Sequence, residues 1–444
     1  MAVLTLNIKK TYIYRKFLHS FKFKKKKTMK YLLYEKVSLK VCFFLILLLP
    51  IALVFSKFAV NTIVGLTSLI TLFYIIINNK FHDLKYLPVY LFIIFCLYIS
   101  IRSTFTSHVL LSLKSSTLYI RYLFFIFAFY YLNLYYNNFI KKFFYIFFVT
   151  IFILIVDSYI QFFLTKNLFG YSTEVLENNR ISGFFKDELI LGGFVVRSCF
   201  ILVTLTLFTN FKYKKITILF LIFTSIHVAF ISGERTSFFL SILGFILFFI
   251  MSNIFKFRQK VLLLLSLIVI IIVTLSNFDG TKQRMVTQTV HDVKSAKSIL
   301  MFTNGHESHF LTALNLYEDN KIFGKGSNLF RVLCSNKEFI INKKGCSTHP
   351  HNYYFQMLAE NGLIGFSFLL LFFLSLIYLA TKHCIYKYFL NKTYLEEYEV
   401  AILISLLISF WPIAPNGNFF NSWLSTIIFI QISLMHIFLR RRIF

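Results

Sequence analysis

Long apolar runs recur along this chain, and they leave few architectures open. About twelve of them are long enough to enter or cross a hydrocarbon core roughly 30 Å thick. Their limits by hydropathy are 39–56, 59–77, 87–101, 117–136, 143–163, 189–209, 216–232, 236–252, 261–277, 358–380, 399–413 and 418–438. Backbone groups in hydrocarbon must be satisfied within their own segment, so each run reads as a helix. The expected fold is all-α, a polytopic integral membrane protein with about 12 transmembrane helices and one large polar loop. The run 399–413 is short and contains Trp411-Pro412, which leaves a re-entrant segment open.

Composition agrees. The chain is 57% hydrophobic and 15% charged, against about 45–50% and 25% for soluble domains. A net charge of +29 would suggest nucleic acid in a soluble protein. Here the basic residues fall in short clusters between apolar runs, so no nucleic-acid partner is expected and membrane lipids are. With the N-terminus inside, the inner links carry Lys80 and Lys85, Lys141 and Lys142, Lys212 to Lys215, Lys256 to Lys260, and Lys382 to Lys392. Arg440, Arg441 and Arg442 follow the last run. Every inner link is basic, as the positive-inside rule requires.

The chain then divides into a basic cytoplasmic tail (1–38), helices 1–9 (39–277), a large periplasmic loop (278–357), helices 10–12 (358–438) and a basic tail (439–444). Met29 is an alternative start to Met1. Both termini are expected in the cytoplasm of a bacterium, with the multi-pass body in its inner membrane.

The loop is too long for a simple connector. It offers an amphipathic stretch from Gln283 to Leu300, and a second helix from His306 to Tyr317 with Phe310, Ala313, Leu314 and Tyr317 on one face. Cys334 and Cys346 enclose a short Lys-rich loop, compatible with a disulfide in an oxidising compartment or with two unpaired thiols. The loop ends in His349-Pro-His-Asn-Tyr-Tyr. Pro350 fixes a turn and Asn352 is a good helix cap. Two histidines and an asparagine thus stand at the mouth of a membrane helix.

Other polar residues need an explanation in such a chain. Asp157 and Gln161 share a helix face, and Arg197 lies inside the sixth run. The bland reading pairs Asp157 with Arg197; the functional reading is a polar face leading to a site. Arg180 precedes a turn glycine, and Arg235 starts the eighth helix after a very tight link. Guanidinium forks and helix N-termini both favour phosphate oxygens. Snorkelling, or pairing with Glu234 or Glu188, is the bland alternative. The two arginines with His351 suit an anionic, phosphorylated, lipid-linked substrate. The arginines would neutralise a diphosphate leaving group, and a histidine would take the proton of an acceptor hydroxyl. No metal or other cofactor is required by this chemistry. A metal held by His349 and His351 with His306 or His309 is the minor reading.

These residues resemble a family. His351-Asn352 followed by Gly362-Leu-Ile-Gly365 is similar to the His-Asn motif of the bacterial O-antigen ligase and O-antigen polymerase family. Asp157 to Gln161 leading to Arg180-Ile-Ser-Gly183, Ser232-Gly-Glu-Arg235, and Ala313 to Gly326 resemble further landmarks in the same order. The resemblance implies a fold of the large C-type glycosyltransferase (GT-C-like) kind. It implies transfer of a glycan from an undecaprenyl diphosphate carrier to a periplasmic acceptor, lipid A-core or a growing polysaccharide, without metal. His351 would then be the base or the acceptor-orienting residue. Arg180, Arg235 and Asn352 would contact donor or diphosphate, and Gly362 and Gly365 would be structural. The family often has an arginine before the Ala-Leu stretch, where this chain has His306 and His309; Arg284 is the replacement at hand. A transporter or flippase of lipid-linked glycans is the alternative, but no internal repeat supports it.

Overall fold

The computed structural model describes residues 29–176, 180–295 and 304–440. The basic stretch 1–28 and Arg441 and Arg442 lie outside the described residues, as does Leu300 at the end of the expected amphipathic stretch. Twelve apolar helices stand where the twelve runs were read. They are α1 (Met29–Phe55), α2 (Lys57–Ile77), α3 (Leu87–Ser103), α4 (Val109–Tyr135), α5 (Phe139–Leu164) and α6 (Leu191–Phe208). Then come α7 (Lys214–Ile231), α8 (Arg235–Met251) and α9 (Phe257–Asn277). Two helices of the polar segment follow, α10 (Gln288–Ser295) and α11 (Asn304–Asp319), and then α12 (Tyr353–Tyr388), α13 (Glu397–Ser409) and α14 (Ser422–Arg440). Nine of these helices are long and apolar enough to cross a membrane; α3, α8 and α13 are shorter. Among the described residues there is no strand beyond one isolated bridge, Lys166 with Ser172.

The core runs through α6, α13 and α14. Some 83% of the apolar window of α6 is buried and 78% of that of α14, against 11% for α9. α13 is apolar all round and buried from Glu399 to Ser409, as a helix enclosed by other helices must be. α9 by contrast stands at the edge. The run 399–413 ends as a helix at Ser409, and Phe410 to Asn421 return as a loop toward His351.

α12 begins earlier than its apolar run, at Tyr353, and is interrupted at Gly362, whose φ of 62° is left-handed. At that break its backbone bonds with another segment. Leu363 N–H donates to Lys321 O (2.8 Å), Lys325 N–H to Ala359 O (2.9 Å) and Gly326 N–H to Glu360 O (2.6 Å). The crossing is glycine on glycine. A Cβ on Gly362 would lie 2.2 Å from Ile322 O, and one on Gly324 would lie 2.5 Å from the backbone of Asn361. Gly365 is also closed off, since a Cβ there would meet that of Asn361 at 2.3 Å. From α3, Tyr98 Oη donates to Asn361 O (2.7 Å) and an Arg102 amino group donates to Gly324 O (2.6 Å).

Above the break, α12 carries a polar stripe at fourfold spacing, so one face is involved. Asn352 Oδ1 accepts from Tyr354 and Phe355 N–H, capping the helix, and its Nδ2 donates to Pro412 O (2.6 Å) and Ala414 O (3.3 Å). Gln356 donates to Asn418 Oδ1 (3.0 Å) and accepts from Phe419 N–H (2.9 Å). The buried Glu360 carboxylate accepts from Asn328 N–H (2.7 Å) and Phe330 N–H (3.0 Å). These bonds tie residues 326–330 and 410–419 to the first turns of α12.

The glycine crossing predicts a sharp contrast between substitutions. Gly362→Ala adds left-handed strain of about 1–3 kcal/mol to a backbone clash, and should lower the thermal unfolding midpoint of purified protein by several degrees or prevent folding. Gly65→Ala in α2, where a Cβ meets nothing within 4 Å, should leave the midpoint unchanged. An unaltered midpoint for Gly362→Ala would contradict the crossing.

Candidate functional site

Four histidines meet above α12. His306 and His309 are three residues apart on α11, hence on one face, while His349 and His351 come from the turn that Pro350 fixes. The ring of His351 is central, with centroid distances of 4.1 Å to His349, 5.1 Å to His309 and 5.3 Å to His306. His351 has a φ of 59°, a left-handed conformation uncommon outside glycine and asparagine and often found where function dictates geometry. Its carbonyl is held by Asn416 N–H at 2.7 Å.

Burial keeps this cluster neutral. It pushes His351 down to about 3, with His349, His306 and His309 adding to the effect. Burial lowers His306 to about 4, helped by His309 and Arg235. It lowers His349 to about 4 as well, with Arg331, His309 and His306 acting the same way against the Asn416 backbone. His309 is also lowered by burial.

The position of α11 depends on the ring closed by a disulfide between Cys334 and Cys346, with Cα atoms 5.0 Å apart. Asn342 Nδ2 donates to Ser308 Oγ (2.8 Å), and Asn315 Nδ2 donates to Phe339 O (2.9 Å). Phe310 stacks on Phe355 of α12 at 4.6 Å. The buried face of α11 is Phe310, Ala313 and Leu316. Leu314 and Tyr317, expected on that face, are only half-buried, because α11 packs on both α12 and the disulfide ring.

A second group gathers at the turn between α7 and α8. Gly233 has a φ of +70°, and a Cβ there would meet both Arg180 and Arg284 at 3.1 Å. Glycine thus lets the two arginines close on the turn. Arg180 Nε donates to Ser232 O (2.9 Å), Arg284 Nε to Gly233 O (3.4 Å), and Arg284 Nη1 to Gln288 Oε1 (2.9 Å). Arg235 opens α8 and pairs through Nη1 with Asp292 Oδ2 at 2.7 Å. Glu234 receives the N–H groups of Gly192 (2.6 Å) and Gly193 (2.9 Å) and the hydroxyl of Ser237 (2.8 Å). Its carboxylate therefore caps α6, where a negative charge complements the helix dipole. Burial raises the Glu234 pKa, while Arg180 and these donors pull it back.

The two groups are neighbours. Arg235 is close enough to depress His306, and His306 touches His351. From below, Arg197 of α6 donates to Gly193 O (3.1 Å) and Asn416 Oδ1 (3.4 Å), and Asn416 in turn holds His351. Arg180, Arg235, Arg284 and His351 thus lie around one region of the fold.

Several expectations are corrected. Asp157 does not pair with Arg197. It accepts from Leu168 N–H (2.8 Å) and Asn167 Nδ2 (3.3 Å), while Gln161 accepts from Ser182 and Gly183 N–H. Both residues therefore shape the link that presents Arg180. Glu188 pairs with Lys57, not with an arginine. All four hydrogen-bonding positions of the Asn352 amide are engaged within the chain. It positions the start of α12. The histidine rings crowd around His351 rather than around a shared point, and among the described residues no group of three or more His, Cys, Asp or Glu has metal-ligand geometry. Sequence reasoning did not include His306, His309 or Arg197 among the site residues. The three-residue spacing of the first two on one helix, and an arginine inside an apolar run, were the available signals.

No curated protein matches the chain. A family model described as O-Antigen ligase (Wzy_C) matches residues 220–370. That match, about a third of the chain, takes in the Gly233 turn, Arg235, Arg284, α11, the disulfide ring, His351 and Gly362. Over this segment the chain is similar to the O-antigen ligase family.

Proposed function

We propose that the protein is an inner-membrane glycosyltransferase of the O-antigen ligase or polymerase type. It moves a glycan from undecaprenyl diphosphate to a hydroxyl of lipid A-core or of a growing polysaccharide on the periplasmic side. The observation that carries this reading is that the arginines gathered at the Gly233 turn lie near the His351 cluster, with Arg197 joined to His351 through Asn416 and Arg235 within electrostatic reach of His306. An apolar groove of about 450 Å³ between α1 and α5 is lined by Phe184, four residues after Arg180. It suits the hydrocarbon of a lipid carrier.

In this mechanism the acceptor oxygen attacks the anomeric carbon, and the bond from that carbon to the diphosphate oxygen breaks. The acceptor proton passes to a ring nitrogen of His351. Undecaprenyl diphosphate leaves with its charge spread over the guanidinium groups. In the empty pocket His351 is a weak base, since burial favours the neutral ring. A bound diphosphate raises its proton affinity, because an anion nearby favours the imidazolium.

Two outcomes test these roles. His351→Ala and Arg235→Ala should each abolish polysaccharide assembly while the protein still reaches the membrane. Normal lipopolysaccharide ladders from both variants would remove them from the mechanism. Gene deletion separates the acceptors: bare core with polymer left on the carrier marks a ligase, and core bearing one repeat unit marks a polymerase.

The neutral cluster also sets the pH dependence. A group held near 3 or 4 stays deprotonated as pH falls from 8 to 5, so kcat/KM in membrane vesicles should show no acid limb near 6.5. A half-maximal rate between pH 6 and 7 would contradict this.

A further inference from the structure

The chain between α9 and α10 lies across the arginines as a strap. It comprises a helical turn Asp279–Lys282, a π-helical turn Gln283–Thr287 and α10. None of the side chains from Asp279 to Thr287 is fully buried; Met285, half-buried, packs against the main core. The strap follows α9, the most weakly packed of the nine long helices. Two of its polar contacts fall on the turn between α7 and α8. Arg284 rests on Gly233, and the Asp292 carboxylate pairs with Arg235.

This second contact has chemical meaning. Arg235 keeps one buried nitrogen, Nε, without a hydrogen-bond partner, while Nη1 is given to Asp292. A guanidinium binds carboxylate and phosphate oxygens through the same N–H groups. Asp292 and a phosphate oxygen therefore compete for Nη1. The side chains of Arg235 and Asp292 retain 20% and 30% of their exposure, so the pair is open to an incoming anion and weak enough to exchange. A π-helical turn is a frequent mark of a functional segment, and here it carries Arg284, one of the two anchors.

We propose that Asp292 is an internal anion that occupies Arg235 in the empty site, and that a diphosphate displaces it and releases the strap formed by residues 279–295. The proposal rests on the reading of Arg235 as a diphosphate-contacting residue. Displacement takes out one carboxylate and brings in one phosphate oxygen, with no covalent step. It gives a segment of the large loop a means of reporting that the donor has arrived.

The test uses the full chain in lipid nanodiscs with inorganic pyrophosphate as the probe, measured by calorimetry and by amide hydrogen exchange. Asp292→Asn keeps the size of the side chain and removes its charge. It should bind pyrophosphate about fivefold more tightly than the unaltered protein, the scale of a partly exposed ion pair. In the unaltered protein, pyrophosphate should increase exchange in residues 279–295. Arg235→Ala should bind most weakly of the three. If Arg235→Ala loses affinity but Asp292→Asn binds no more tightly, or if pyrophosphate protects the strap, the displacement is overturned while the arginine site stands. If all three proteins bind alike, or none binds, the assignment of Arg235 fails and the strap proposal fails with it.

Discussion

A broken helix organises the loop-bearing face of this protein. α12 gives up its own backbone pairing at Gly362 and lends it to residues 321–326, which cross at Gly324. Buried peptide groups must be paired, so the two segments are locked by main-chain bonds that no side-chain change can replace. The crossing fixes the depth at which the polar segment meets the membrane helices. The stripe of Asn352, Gln356 and Glu360 then fixes its rotation. On that frame the disulfide ring supports α11, and α11 brings His306 and His309 over His351.

Electrostatics follows from the same frame. The histidines are drawn into a buried cluster flanked by Arg235 and Arg331, so all four are held neutral. The guanidinium groups are instead arranged around a glycine turn and a capped helix. A site with fixed positive charge on one side and uncharged imidazole on the other is polarised before any ligand enters. Such preorganisation is the usual source of transition-state stabilisation.

Much of the fold was legible because hydrophobicity alone dictates it. Each apolar run became a helix, and Pro350 and Asn352 marked the turn and cap that begin α12. Boundaries shifted where side-chain bonding took over from hydropathy: Tyr353 to Met357 belong to α12 although hydropathy places them at the end of the polar loop. Partners were not legible. Asp157 and Arg197 are both charged groups within apolar runs, but which groups they meet depends on tertiary packing. Asp157 turned inward to its own link and Arg197 to Asn416. The four-histidine cluster was hidden for the same reason: its two pairs are about forty residues apart in sequence, and their meeting depends on a glycine crossing whose geometry no periodicity reports.

The hold of Asn416 on His351, and of Pro412 and Ala414 on Asn352, has a consequence for biogenesis. These partners lie about sixty residues downstream, beyond two further helices. A nascent chain that has inserted α1 to α12 therefore has every titratable group of the histidine cluster but not the backbone contacts that set its geometry. The site's geometry is completed late in synthesis, after α13 has formed and its following loop has returned. Until then an immature chain holds its histidines without the contacts that set their geometry.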